Sequence, residues 1–287
     1  MRRTLTLLIL GCALTACAGS GTLSERWTGT RNLTIEHDGL MRTYGLHVPE
    51  SGSRRRMPLV VALHCYGIDG PVFMQRTGWI EKSDEHGFLL LFPDATGQPP
   101  EWNEGIGLNP ATREVDDEGF VIALIERIMA EYPVDPRRVY LTGHSSGAFF
   151  SHLLAARHAD LIAAIATVAG QGTRELIDAL APVHPVAVVH LHALDDEAVA
   201  FTGGPAAGVP CPPVMTSMTT WSRINGAAAA PDTVLNVDGL LGLEWRAPSR
   251  GADVRFYRYD TGGHSWPTAP VPATDLIWEF FSAQSRR

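Results

Sequence analysis

Ser145 stands at the centre of Gly143-His144-Ser145-Ser146-Gly147, two aspartates follow at 195 and 196, and His264 closes the series. A serine hydroxyl becomes a useful nucleophile when a histidine takes its proton. The histidine in turn needs an acid to hold its tautomer and stabilise its charged form. All three residue types are present, in the order Ser, Asp, His. The pattern G-x-S-x-G gains meaning when a hydrophobic strand leads into it and a helix leads out, because the sharp turn then exposes the hydroxyl. Here "RRVYLTG" leads in and "SGAFFSHLLAARH" leads out. The chemistry this predicts is two-step acyl transfer. Ser145 attacks a substrate carbonyl with His264 as base, the leaving group departs with a proton from His264, and water hydrolyses the acyl-enzyme.

The residues around this series have their own readings. Asp195 and Asp196 both follow the apolar run "VAVVHLHAL", and either can be the acid. Asp260 is a weaker candidate because it shares a loop with His264. An oxyanion needs two preorganised donors, usually backbone N–H groups. One is expected from Ser146, through its N–H and not its hydroxyl. The second is expected from the loop "LHCYGIDG", from Cys65 or Tyr66, with Tyr66 favoured. Trp102, His144 and Trp266 are candidate substrate contacts, with simple packing as the alternative for His144 and Trp266. His152, His158, His190 and His192 read as packing or surface residues.

These residues need a scaffold that delivers them to one edge. "PLVVALH", "FLLLFPD" and "RRVYLTG" are continuous apolar runs of the kind that a strand buried on both faces requires. Between the last two, "DDEGFVIALIERIMAEY" sets Phe120, Leu124, Ile125 and Ile128 on one helical stripe. Asp116 and Asp117 stand at its start, where acids suit the helix dipole. "IAAIATVAG", "VAVVHLHALDD" and "DVRFYRYDTGGH" continue the strand series, and "ATDLIWEFFSAQ" fits a last helix. Alternation of this kind predicts an α/β fold, a mostly parallel central sheet with helices on both faces and ligands at the strands' carboxyl ends. "NLTIEHDG" and "RTYGLHVP" read as an antiparallel hairpin ahead of it. Residues 96–112 and 202–213, rich in Gly and Pro, each follow a strand and are expected to overhang the active edge.

The chain has 287 residues, 45% of them hydrophobic and 19% charged, enough for one sizeable core. A formal charge of -8, from 23 basic and 31 acidic side chains, leaves no positive field for nucleic acid and disfavours a polyanionic substrate. Arg54 to Arg56 read as a solvated loop. Arg2 and Arg3 precede the apolar run "LTLLILGCALTA", which has the form of a secretory signal. It ends in Leu14-Thr15-Ala16-Cys17, which resembles the bacterial lipobox. That resemblance implies cleavage before Cys17, lipidation of Cys17 and attachment to a membrane, with release as a soluble secreted protein as the alternative. Ala18 favours an outer leaflet if the host is Gram-negative. The expected layout is a signal peptide at 1–16, a lipidated tether at 17–32 and a catalytic domain at 33–287. Cys12 leaves with the signal, so Cys65 and Cys211 are the thiols left in an exported domain, and one disulfide between them is an expectation. No Cys/His cluster has zinc spacing, and neither a metal nor a cofactor is implied.

"PLVVALHCYG", "GFLLLFPD", "VDDEGF", "DPRRVYLTGHSSGA", "WSRINGA" and "GGHSWP" together resemble the polyhydroxybutyrate depolymerase-like and feruloyl esterase-like serine esterases, from about Leu33 to the C-terminus. The resemblance implies an α/β-hydrolase fold, with Ser145 as nucleophile and His264 as base. It implies Asp196 as acid, through the match of "LHALDDEAVAF" to the family's "HGTAD" segment, in which Asp195 replaces a common alanine. Cys65 stands where the family usually has glycine, a departure at the second oxyanion donor. The implied substrates are carboxylic esters: short-chain acyl esters, hydroxyalkanoate oligomers, or feruloyl and acetyl esters. Three alternatives remain from the sequence: a prolyl oligopeptidase-like peptidase, an acyltransferase and an inactive surface-binding lipoprotein.

Overall fold

A computed structural model of the chain describes residues 27–50, 56–104 and 114–286. The expected signal, Cys12, the expected lipidation site Cys17, Arg54, Arg55 and residues 105–112 of the 96–112 segment lie outside the described residues.

The chain opens with a hairpin, β1 (Gly29–His37) and β2 (Leu40–Val48), turned at Asp38 and Gly39, whose φ values of 49° and 73° match the twist of paired strands. Pairing begins at Gly29, four residues before the expected start of the domain. β3 (Met57–Leu63) is followed by α1 (Gly70–Thr77), α2 (Trp79–His86) and β4 (Leu89–Pro93). A minimal hairpin, β5 (Thr96–Gly97) with β6 (Pro100–Glu101), leads to α3 (Asp117–Glu131) and β7 (Val134–His144). Then come α4 (Ser146–Arg157), β8 (Ala164–Val168), α5 (Arg174–Asp178) and β9 (Ala187–Ala193). A second small hairpin, β10 (Gly204–Ala206) with β11 (Val209–Cys211), precedes α6 (Val214–Ile224). β12 (Asp232–Val237), β13 (Leu240–Trp245), β14 (Val254–Tyr259) and α7 (Ala273–Ser282) complete the described chain.

Ten strands form one sheet in the order β1-β2-β4-β3-β7-β8-β9-β14-β13-β12. From β4 to β14 every neighbouring pair is parallel, and antiparallel strands flank that block on both sides. Alternation along β3 shows why its sequence is apolar throughout. Leu59, Val61 and Leu63 enter the core on one face, Val60 and Ala62 the core on the other.

The stripe Phe120, Leu124, Ile125 and Ile128 on α3 is buried as its spacing predicts. Its two leading acids divide. Asp116 caps the helix by accepting from the Gly119 N–H at 2.8 Å. Asp117 points inward and accepts from Arg42 Nη2 at 2.6 Å, both side chains being fully buried, so it is an ion-pair partner and not a solvent-side dipole charge. The Arg42 guanidinium also lies 3.9 Å over the Phe120 ring. The hairpin β12–β13 is absent from the sequence expectations, although Asp238-Gly239 between apolar runs is its turn signal.

Candidate active site

The turn from β7 into α4 holds Ser145 at φ 53° and ψ -118°, an unfavourable conformation for a residue with a side chain. It persists because its neighbours fix it. The Ser145 N–H donates to Val168 O at the end of β8 (2.9 Å), and the Ser145 carbonyl accepts from the Ala148 and Phe149 N–H groups. A Cβ at Gly147 would lie 2.1 Å from Leu63 O, and one at Gly143 would lie 2.3 Å from the Gly147 backbone. Both glycines therefore let helix and strands touch backbone to backbone. Gly147→Ala is expected to cost about 3 kcal/mol, the upper end for overpacking, because backbone and not a flexible side chain must yield. A thermal melt checks it: a loss of under about 2 °C would mean that the contact relaxes freely.

His264 arrives from the loop after β14 with its Nε2 2.8 Å from Ser145 Oγ and its Nδ1 2.8 Å from Asp196 Oδ2. Asp196 comes from the loop after β9, and its Oδ1 accepts the Ala198 and Val199 N–H groups at 2.9 Å each. Burial pushes the Asp196 carboxyl up, but the hydrogen bonds from His264 and the Val199 N–H outweigh it and hold it below the ordinary aspartate value. An ionised Asp196 can only accept. The His264 proton therefore sits on Nδ1, and Nε2 presents its lone pair to the Ser145 hydroxyl.

Asp195, the other candidate acid, turns away. Its carboxylate accepts from the Gly263 N–H at 2.8 Å and the Gly262 N–H at 3.3 Å, fastening the loop that carries His264. Asp260 is exposed and accepts from Arg258.

Behind the acid loop runs a buried chain of hydrogen bonds. The Thr167 hydroxyl donates to His190 Nδ1 (2.7 Å), His190 Nε2–H to His192 Nδ1 (3.0 Å), and His192 Nε2–H to Val199 O (2.8 Å). Burial pushes both histidines down, so they are neutral and each tautomer is set by its neighbour. His152 is buried and accepts from Trp221 Nε1, whereas His158 pairs with Glu118 near the surface.

The loop after β3 is braced in the same manner. His64 Nδ1–H donates to Cys65 O (2.8 Å), its Nε2 accepts from the Ala95 N–H (2.9 Å), and its carbonyl accepts from Trp102 Nε1 (2.9 Å). Gly67 takes φ 82° as the chain turns, and its N–H donates to Pro100 O. Asp94 accepts from the Gly70 N–H at 2.7 Å and fixes the start of α1.

A cavity of about 400 Å³ opens over Ser145. Cys65, Tyr66, His144, Ser145, Ser146 and His264 form one side. Arg76, Glu101, Glu104, Phe149, Val199 and Ala206 form much of the rest. The segments expected to overhang the active edge do so, with Glu101 and Glu104 from the first and Ala206 and Ala207 from the second. His144 is held neutral, pushed down to about 3 by burial and by His264, and its ring centroid lies 5.1 Å from that of His264.

Three expectations change. Trp102 is no substrate contact, since it is wholly buried, stacks on Phe150 and spends its N–H on His64. Trp266 is core too. It packs edge-on against Phe73 and Trp79, and its N–H donates to Thr274. The Cys65–Cys211 bridge is not formed. Both are free thiols, Cys65 lining the cavity while Cys211 packs behind its wall among Phe149, Val199 and Ala206. Burial pushes both thiols up, away from the thiolate form.

The model of the family described as Esterase PHB depolymerase matches residues 42–184. The match spans just under half of the chain, and over residues 42–184 the chain is similar to this esterase family. The matched segment contains Ser145 and its turn and ends before Asp196 and His264. A bifunctional acetylxylan esterase/xylanase from Neocallimastix patriciarum is 23% identical over 231 residues, covering 78% of this chain and 31% of its own length. Feruloyl esterase B from Piromyces equi is 28% identical over 189 residues, 61% of this chain and 33% of its own. The chain thus spans about a third of the length of these curated relatives. The solved structure of an acetyl xylan esterase from Aspergillus awamori superposes with a TM-score of 0.65 at 16% identity, over 88% of this chain and 99% of that one. At that identity the likeness speaks for the fold, which is that of the α/β-hydrolases.

Proposed function

We propose that this chain is an exported serine esterase, held to a membrane by a lipid on Cys17, that hydrolyses carboxylic esters with Ser145, His264 and Asp196. The observation that carries the reading is the hydrogen-bond relay from Ser145 Oγ through His264 to Asp196 at the floor of the cavity. In the first step the Ser145 Oγ forms a bond to the ester carbonyl carbon and its proton passes to His264 Nε2. The cation so formed is stabilised by the buried Asp196 carboxylate. The carbonyl oxygen becomes an oxyanion received by the N–H groups of Ser146 and Tyr66. Ser146 opens α4, where a helix leaves its first N–H groups without internal partners, which suits the role. The alcohol departs with the proton from Nε2, and water repeats the sequence to free the acid.

The substrates this reading takes are short-chain acyl esters, hydroxyalkanoate oligomers, and acetyl or feruloyl esters, in keeping with the family and with the names of the relatives. The test is hydrolysis of p-nitrophenyl acetate and butyrate, followed by methyl ferulate, acetylated xylan and 3-hydroxybutyrate oligomers. Expression with the signal adds a second readout, partition of the mature chain into detergent with added mass on Cys17. A folded chain that hydrolyses none of these esters overturns the esterase reading. An unmodified, freely secreted chain overturns the anchor.

A further inference from the structure

Glu104 is a buried acid in the cavity wall that the mechanism does not employ. Glu104 is 4% exposed and lines the cavity beside Ser145 and Ser146. Its Oε1 accepts from the Ser146 hydroxyl at 2.9 Å, and its Oε2 is buried with no hydrogen-bond partner among the described residues. A buried polar atom left unpaired costs about 1–3 kcal/mol. A brace for Ser146 alone would need just one oxygen, so a carboxyl in the cavity wall with a spare atom suits a ligand better than a strut.

The surroundings hold that atom in place. The neighbouring Asn103 donates from its N–H to Asp117 Oδ2 (2.8 Å) and from Nδ2 to Val115 O (3.0 Å). Asp117 is itself tied to Arg42, and Trp102 is pinned to His64 and stacked on Phe150. The segment Trp102-Asn103-Glu104 is therefore preorganised, as a specificity contact requires. The carboxyl faces acids at Glu101 and Asp117. Burial first, and then these two charges, push it up to about 8 against the opposing bonds from Ser146 and its own N–H. Below that pH it is neutral. Because the Ser146 hydroxyl already donates to Oε1, the proton belongs on Oε2, which makes that atom an unpartnered O–H donor.

We propose that Glu104 is a specificity-determining residue whose Oε2 hydrogen-bonds a hydroxyl group carried by the ester substrate, so that hydroxylated esters are turned over in preference to the same esters lacking the hydroxyl. This rests on the esterase reading and deepens it. A hydroxyl suits the site because it accepts from the neutral acid and can donate to the ionised one. It can come from the acyl part or from the alcohol part of the ester.

The experiment compares kcat/KM within two matched pairs in which a methyl replaces the hydroxyl. Ethyl 3-hydroxybutanoate against ethyl 3-methylbutanoate tests the acyl side, and 2-hydroxyethyl acetate against propyl acetate the alcohol side. In the wild-type chain one pair is expected to favour the hydroxylated member. Glu104→Met should collapse that ratio by about tenfold or more, because a paired buried hydroxyl is lost. Glu104→Gln, which keeps a hydrogen-bonding atom in place, should retain most of the ratio. Labelling of Ser145 by a fluorophosphonate verifies that each variant is folded and assembled. Absence of any preference in the wild type, or equal losses for both members of both pairs in Glu104→Met, would overturn the proposal. Hydrolysis of the methyl members by the wild type keeps the esterase reading standing in either case.

Discussion

Ser145→Ala is expected to lower kcat on p-nitrophenyl butyrate by about 10⁵-fold or more, leaving only what binding and the oxyanion donors supply. The argument is geometric. Ser145 Oγ is the atom 2.8 Å from His264 Nε2, and the hydroxyl of the adjacent Ser146 is committed to Glu104. A fluorophosphonate should add once to the intact protein and not at all to Ser145→Ala, as read by mass. Ser146→Ala should still be labelled, because its contribution is a backbone N–H. The substitution removes only an oxygen, and the turn is held by backbone bonds to Val168, Ala148 and Phe149, so the thermal melt should move little. A variant that keeps most of its activity would remove Ser145 from the reaction.

The second large effect separates two adjacent aspartates. Asp196→Asn is expected to cost about 10⁴-fold in kcat, because an amide that must donate to Nδ1 or accept from it no longer enforces one tautomer and no longer stabilises the cation. Asp195→Asn should cost about tenfold, the equivalent of one weakened hydrogen bond to the loop of His264. Asp195 accepts two backbone N–H groups through separate oxygens, and an asparagine can replace only one of them. Its loss should therefore appear as a lower melting temperature as well as a lower rate. The reverse ranking of the two variants would move the acid to Asp195.

Much of this layout is legible in the sequence because it depends on local patterns. Doubly buried strands must be apolar at every position, and a strand-to-helix turn packed backbone to backbone must use glycine at 143 and 147. The Ser, Asp, His order then falls onto loops after β7, β9 and β14, and these strands lie close together in the sheet. The division between Asp195 and Asp196 is not local, since it depends on where the Gly262-Gly263 backbone passes. Trp102 and Trp266 mislead for a related reason. A tryptophan beside a loop glutamate or histidine looks the same whether it faces a cavity or the core, and here both indole N–H groups are taken by interior acceptors. Glu104 carries no signal of its own. Its meaning comes from Ser146, 42 residues on, and from the Arg42–Asp117 pair that fixes its neighbour. The thiols of Cys65 and Cys211 satisfy every counting rule for a bridge and still end on different sides of a cavity wall.

The sheet also separates what can be altered from what cannot. Ser145, Asp196 and His264 are bolted to strand ends, whereas Glu101, Glu104, Ala206 and Ala207 hang from two segments between strands that pair only within themselves or with loops. Reaction and selectivity therefore reside in separable parts of one chain. Substitution at the cavity-lining positions Glu101, Glu104, Ala206 and Ala207 would rewrite the cleft's preferences without touching the relay, which makes those positions the natural targets for randomised libraries.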